Sequence, residues 1–576
     1  MDQEDKAWKN MAQTPLLGQF LVAINGFIQH RNEGSLAEWI ALEPPFNDHY
    51  LGMIKELHQT YAKGNEEALE NRCSQVLKAA VEGDDGTPWT AFIKFMVQYL
   101  SYLRDVSADV SRLLETYELL SELQQRGNSA LGHSTLGHLI LPVVIANAKL
   151  VCRLAIGLDK QPELIANIRS SQQGGGDEGA RETLPERAAN TLRQAFVTCL
   201  NDRVSSVQDG RPQGKKKGIY LIANLCLKIL FQCRKTRNAT QIFENIYNLS
   251  PPLSIYPKSQ RVTYLYYLGR YLWQNNHFYR AQLALQYAYD ESPARPECTR
   301  QRRHILVYLL ASNIILGRFP SEPLFTRPEA QGLAALFLPL CRSIRAGDLA
   351  AFHHHLSFDA PHAPWFLHFR ILSQLRNRCE VLVWRSLVWR TYSLVGVPPQ
   401  ATSRGSMSPA FLDIAALCAA FDFSSSHTHN PRTDLQPPAQ NIDPPDSEPT
   451  DPDFAGIEYD YTPSYHNPLA IESKLASLID QHLLNGYIAH RQGKLCIVGA
   501  SKMGGNVRAA GFPRPWGVLV SKVERSGEGE VPGWKREREG VGFGGGGGGV
   551  GGGGPVRPGP GMVVNLSGAR MAGAAG

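Results

Sequence analysis

Along residues 16 to 150 apolar side chains recur every three or four positions. Leu16 to Gln29, Tyr50 to Lys63, Glu66 to Val81, Trp89 to Gln125 and Leu136 to Ala155 each carry such a stripe, with Gly and Pro mainly between them. This spacing predicts helices, and no convincing alternating strand pattern interrupts it. Ser170 to Arg187 and Asn201 to Lys217 are polar and read as flexible surface insertions. Helical periodicity becomes dense again from Gly218. Residues 365 to 395 contain neither Pro nor Gly and predict one long helix, or two with a break near Asn377; Ser408 to Ala420 predicts another.

Residues 264 to 293 place Leu268-Gly269, Ala281, Ala288 and Pro293 at the spacing of a tetratricopeptide unit. The small residues stand where two antiparallel helices touch. Ala239 to Asn248, Arg302 to Leu316 and Pro328 to Ala346 read as further parts of helix pairs, and such pairs bury their apolar faces by stacking. Near the end, Ile471 to Val498 changes character. Asn467 caps a helix with Pro468 in its first turn, and Ile471, Leu475, Leu478, Ile479 and His482 form its buried stripe. Gly486 stops the helix. Tyr487 to His490 and Lys494 to Val498 then form a ribbon joined by Arg491-Gln492-Gly493, with Gly where a positive φ is easiest. A helix followed by a ribbon is the second half of a winged helix. The expected fold is therefore all-α: a tetratricopeptide-like helical-repeat array capped by a small winged-helix subdomain.

The expected organisation is an N-terminal helical region over 1–169, a flexible insertion over 170–217, helical repeats over 218–400, a winged helix over 401–500 and a low-complexity tail over 501–576. Within the winged helix, Ser424 to Pro463 is rich in Pro, Asp and Ser and predicts a disordered loop. The Gly-rich end cannot build a core.

Composition narrows the class. No apolar run reaches the length of a bilayer span; candidates such as Ile219 to Phe231 are interrupted by Asn224 and Lys228, so no membrane partner is expected. The N-terminus opens with acids, not with a basic region and an apolar core, and reads as no secretory signal. Ten cysteines without a CxxC pair read as reduced, mostly buried thiols.

Catalytic motifs fail on spacing. His427-Thr-His429 opens like a metallo-isopeptidase motif, but the required Asp position is Gln440. His353-His354-His355 point in different directions on one helical turn, which suits packing or surface better than a metal. Gly499 to Gly505 lacks the Gly-Lys-Ser/Thr ending of a phosphate loop. The sequence thus predicts a non-enzyme with no cofactor and no metal site.

The net charge of +6 permits nucleic-acid contact without demanding it. Lys474, His490, Arg491, Lys494 and Lys502 decorate the wing unit and are the candidate nucleic-acid contacts. Glu472 and Asp480 on the preceding helix would repel phosphates, so sequence-specific reading of DNA is not expected. Arg370, Arg378 and Arg385 fall within an arc of roughly 80° on one helix and, with Arg390, form a candidate partner-binding set. Arg300, Arg302 and Arg303 open another helix against its dipole and hint at a bound acidic partner.

Helix pairs ending in a winged helix resemble the PCI domain, found in the proteasome lid, the signalosome and a translation initiation factor. Two segments carry a closer resemblance: Trp384 to Tyr392 (WRSLVWRTY), and Lys474 to Ile479 running on to Gly486-Tyr487-Ile488-Ala489-His490 and Lys494-Leu495. They resemble the PCI subunit of the nuclear messenger-RNA-export complex and its fungal sister, described as signalosome subunit twelve. The resemblance covers roughly residues 215 to 516. It implies a non-catalytic scaffold in a nuclear complex coupling transcription to messenger-RNA export. The implied partners are a large helical scaffold subunit, a small acidic protein shared with the proteasome lid, and RNA or DNA without strong sequence preference. The implied localisation is nuclear with a cytoplasmic pool. The alternative within the same fold is a signalosome-associated subunit in ubiquitin-like modifier removal. Two features depart from the family pattern: the insertion within the winged helix, and a chain that continues past Phe512-Pro513-Arg514-Pro515-Trp516.

Overall fold

Polar residues with short side chains begin several helices by satisfying backbone donors that the first turn leaves open. Asn32 Oδ1 accepts from Ser35 N and Asn47 Oδ1 from Tyr50 N, each at 3.0 Å. Thr183 and Glu186 form a reciprocal capping box. The computed structural model describes residues 15–82, 87–106, 112–161, 163, 183–205, 207–400, 408–426 and 467–526. Two compact units emerge, one from residues up to 275 with 283–293, the other from 276–282 and residues from 294 onward.

The first unit contains α1 (Leu16–Gln29), α2 (Glu33–Trp39), α3 (Asp48–Thr60), α4 (Glu66–Val76), α5 (Lys78–Glu82), α6 (Thr90–Asp105), α7 (Leu113–Leu131) and α8 (Leu141–Asp159). It continues through α9 (Leu184–Leu200), α10 (Ile219–Gln232), α11 (Thr240–Leu249) and α12 (Lys258–Gln274). Helix α13 (Phe278–Glu291) has residues in both units. Sequence periodicity located α1 to the residue, but ran α4 into α5 across Leu77; its span Trp89 to Gln125 covers α6 and part of α7, with 107–111 between them outside the described residues. A core stripe can continue in phase through a short break, so periodicity alone misses it.

The stretch read as a second insertion is built into this unit. Strands β1 (Val207–Gln208) and β2 (Arg211–Pro212) make a short antiparallel hairpin. Lys215 beyond it is 4% exposed; its ammonium donates to the His133 carbonyl at 2.8 Å and lies 3.8 Å from Asp202. The segment Gly137–Asp159 is long and apolar enough to cross a membrane by length and composition, which corrects the sequence reading; 67% of its apolar window is buried inside the protein, as in a core helix. The repeat expectation holds at Gly269, where an added Cβ would come within 2.5 Å of Leu285. Only glycine admits that approach.

The second unit comprises α14 (Thr299–Ile315), α15 (Leu333–Ala346), α16 (Leu349–His355), α17 (Ala363–His368) and α18 (Leu372–Val395). These lead into β3 (Ala410–Asp413), α19 (Ile414–Ser426), α20 (Pro468–Asp480), β4 (Gly486–Ala489), β5 (Lys494–Ile497), α21 (Val507–Gly511) and α22 (Pro515–Ser526). Helices therefore occur past Ser501, where the expected tail begins. The break before α18 falls at Arg370, whose φ is +55°, and not near Asn377. Arg370 thus leaves the helix that carries Arg378 and Arg385, and the three do not share a stripe.

The basic start of α14 has an internal acid instead of an external one. Arg302 is buried and its Nη2 is 2.9 Å from Glu329, while Arg303 donates to the Glu329 and Gln331 carbonyls. All ten cysteines are free. Burial pushes the Cys73 and Cys341 thiols up to about 12, which keeps them protonated and poorly nucleophilic.

Candidate nucleic-acid and partner interface

The winged helix rests on an antiparallel sheet ordered β3-β5-β4. Its first strand was read from sequence as helix. Ala410–Asp413 pairs with β5 in register Ala410 to Ile497 and Asp413 to Lys494, and the helix begins only at Ile414. The signal is a short alternation that cannot compete with the helical stripe following it, and its pairing partner, Lys494 to Ile497, lies far along the chain.

Alternation along the strands sorts the side chains. Ala410, Leu412, Leu495 and Ile497 are buried on the inner side, as are Ile471, Leu475 and Leu478 of α20. Phe411, Tyr487, Lys494 and Cys496 occupy the outer face by register. Asn467 caps α20, accepting from Ala470 N at 2.7 Å, as its sequence position predicts. The helix stops at Asp480, six residues before Gly486. His482 has φ +57° and is exposed, so it leaves the buried stripe to which the spacing assigned it. Gly486 opens β4 where a side chain would meet the Cys496 carbonyl, and so serves close strand packing instead of ending the helix. The ribbon and its turn match the expectation: β4 and β5 pair, and Gly493 has φ +59°.

The proposed cations occupy different environments. Arg491 at the turn and Lys502 beyond β5 are exposed. His490 is exposed too, but its Nδ1 lies 2.8 Å from Glu472, which ties the turn back to α20 and offsets charge there. Lys494 is half-buried, with its ammonium 4.2 Å from the centre of the Phe411 ring across the sheet. Lys474 turns away from the wing, 5.6 Å from the Trp384 ring centre and 5.8 Å from that of Phe421. Lys474 therefore packs among α18, α19 and α20 and does not extend the wing's charge.

Of the suggested partner-binding arginines, Arg370, Arg378 and Arg390 are exposed, and Arg390 Nε reaches the Arg345 carbonyl at 3.3 Å. Arg385 is a correction. It donates to the carbonyls of Leu483, Phe512 and Pro513 at 3.3, 2.8 and 2.8 Å. Burial, with help from nearby Arg508, brings its pKa down to about 10, so it stays charged at neutral pH. Arg385 is an internal clamp that fixes the exit of the winged helix to α18. Trp389 joins it, with its ring centre 5.2 Å from that of Phe512 and 5.2 Å from the Arg508 guanidinium. The stretch Trp384–Tyr392, which carries part of the resemblance, and the Phe512–Trp516 motif thus form one packing unit. Sequence reasoning missed this clamp because its acceptors are backbone carbonyls, which leave no mark in the side-chain pattern.

Among the described residues the histidines do not gather into a metal site. His353 lies 3.4 Å from Glu380, while His355 Nε2 is 2.7 Å from the Leu336 carbonyl and burial lowers its pKa. Among the described residues no three His, Cys, Asp or Glu side chains are placed to hold a metal. The pair His427 and His429 lies outside the described residues. Gly499 to Gly505 forms a turn, with Gly499, Gly504 and Gly505 all at positive φ.

A helical-repeat chain with a three-stranded winged helix, clamped through a half-buried arginine to a long helix, has the architecture of a PCI-type scaffold. The comparisons agree. A PCI domain-containing protein from Schizosaccharomyces pombe is 25% identical over 408 residues, covering 71% of this chain and 85% of that protein. A Protein CSN12 homolog from the same organism is 26% identical, over 59% of this chain and 75% of its own length. PCI domain-containing protein 2 from Danio rerio is 27% identical, over 39% of this chain and 52% of its own length. Together with the fold, these relatives support the PCI family for this chain. No family model matches it.

Proposed function

We propose that the protein is a non-catalytic scaffold subunit of a nuclear complex that couples transcription to messenger-RNA export, and that its winged helix contributes nucleic-acid contact. The observation that supports this best is the PCI fold shared with relatives that include PCI domain-containing protein 2, joined to exposed Arg491 and Lys502 on the wing side. The same reading gives it a large helical scaffold subunit and a small acidic protein as partners, and RNA or DNA bound through phosphates without base preference. A second reading, association with the signalosome, draws on relatives named CSN12 homologs.

Purification of the tagged chain from nuclear extract, with mass spectrometry of what accompanies it, separates the two. A helical nuclear-pore-associated scaffold supports export. A full set of signalosome subunits, with no such scaffold, overturns it in favour of the second reading.

A further inference from the structure

In the second unit a groove of about 240 Å³ runs between the end of α14, the middle of α18, the residues just after α20, and α22. Leu316, Leu382, Leu483, Pro515, Val518 and Leu519 make its apolar surface. Arg378 and Lys522, both exposed, line it as well, and no carboxylate is among its lining residues. Its volume is below that of a typical small-molecule site and suits one or two large side chains of an extended segment.

This chain contains a segment of the complementary chemistry. Between Asp443 and Tyr461 it has seven acids and neither Lys nor Arg, and it ends on Phe454, Ile457, Tyr459 and Tyr461 interspersed with Asp453, Glu458 and Asp460. The tether fits. Tyr461 stands six residues before Asn467, a reach of up to about 20 Å when extended. Helix α20, with 13 residues, is about 20 Å long and delivers the chain to Gln481 at the edge of the groove. Phe454 has seven more residues of reach. A tether of this length raises the local concentration of the segment to the millimolar range, so weak contacts suffice and a free acidic peptide competes at a disadvantage.

We infer that the acidic, aromatic segment Asp453–Tyr461 of this chain docks in the groove, its aromatic side chains on Leu382, Val518 and Leu519 and its carboxylates toward Arg378 and Lys522. The test uses a fluorescein-labelled synthetic peptide spanning residues 443–463 and fluorescence anisotropy with the full chain. The wild-type chain, whose groove is filled in cis, should bind the peptide at least about tenfold more weakly than a Phe454→Ser, Tyr459→Ser, Tyr461→Ser variant. In that variant background, adding Arg378→Glu and Lys522→Glu should abolish binding while the melting curve stays in place, since both side chains are exposed; Lys522→Glu alone, with a several-fold loss, serves if the pair perturbs folding. Equal binding by wild type and triple variant would mean that the groove stands open to a partner in trans, and would overturn the inference. So would failure of the triple variant to bind, or binding that ignores both groove substitutions.

Discussion

Arg385 shows how much a single side chain carries here. Replacing it with Met leaves the Phe512 and Pro513 carbonyls without their donor and removes charge-assisted hydrogen bonds, a loss of about 2–4 kcal/mol. Arg385→Met should therefore lower the melting temperature by several degrees, and Arg385→Lys should recover only part of it, because the guanidinium reaches the Leu483 carbonyl through Nε and the other two through Nη2, a spread that a single ammonium nitrogen does not cover. Thermal melts of the two variants check this. Glu380 offers a pH-dependent counterpart. Its hydrogen bond with His353 is the main cause that lowers its pKa, outweighing burial. A carboxylate whose folded pKa is depressed contributes stability above its ordinary titration range, and that contribution is lost as pH falls through the depressed value. The melting difference between wild type and Glu380→Gln should accordingly be present near neutrality and fade below the ordinary glutamate range. A difference that persists unchanged in acid would point to a steric origin.

At the scale of elements, the boundaries set by tertiary contacts decide what can be removed. Ser424 belongs to α19, where its hydroxyl accepts from Leu349 N at 2.9 Å and donates to the Gly347 carbonyl at 2.8 Å. The loop expected from Ser424 onward thus starts too early. Replacing residues 427–463 with a short Gly-Ser linker should keep the melt cooperative and lose only the weak tethered docking of Asp453–Tyr461, whereas Ser424→Ala should cost about 1–3 kcal/mol by orphaning both buried backbone groups. Leu478, fully buried on α20 beneath the sheet, is a harsher probe. Leu478→Asp strips a charge of water without giving it a partner and should unfold the winged helix, seen as loss of cooperative melting and a rise in proteolysis near residues 467–513.

For the molecule as a whole, the nucleic-acid contact proposed for the wing is electrostatic, and its phosphate contributions add. The structure changes which cations should matter: Arg491 and Lys502 are exposed, while Lys494 is engaged with Phe411. Arg491→Glu with Lys502→Glu should preserve folding and weaken binding of the assembled complex to single- and double-stranded oligonucleotides alike. The salt slope should fall by about one unit for each phosphate that is no longer neutralised. Titrations at two salt concentrations that leave affinity unchanged would make the wing a protein-docking surface.

Much of this was legible in the chain itself. Helix periodicity, the Asn467 cap and the Gly493 turn are local: the side chains that specify them lie within a few residues of the structure they form, so α1, the start of α20 and the β4–β5 ribbon could be read directly. The resemblance to the PCI family was legible too, carried by Trp384 to Tyr392 and by the wing segment from Lys474 to Leu495. What remained depended on partners distant in the chain. Strand β3 exists because β5 offers it an edge; Arg370 leaves α18 through a left-handed turn; Lys474 faces rings on two other helices; and Arg302 and Arg385 find an acid and three carbonyls far along the chain. An arginine in a sequence displays its charge but not its partner, and only folding determines whether that charge faces solvent or closes the protein on itself.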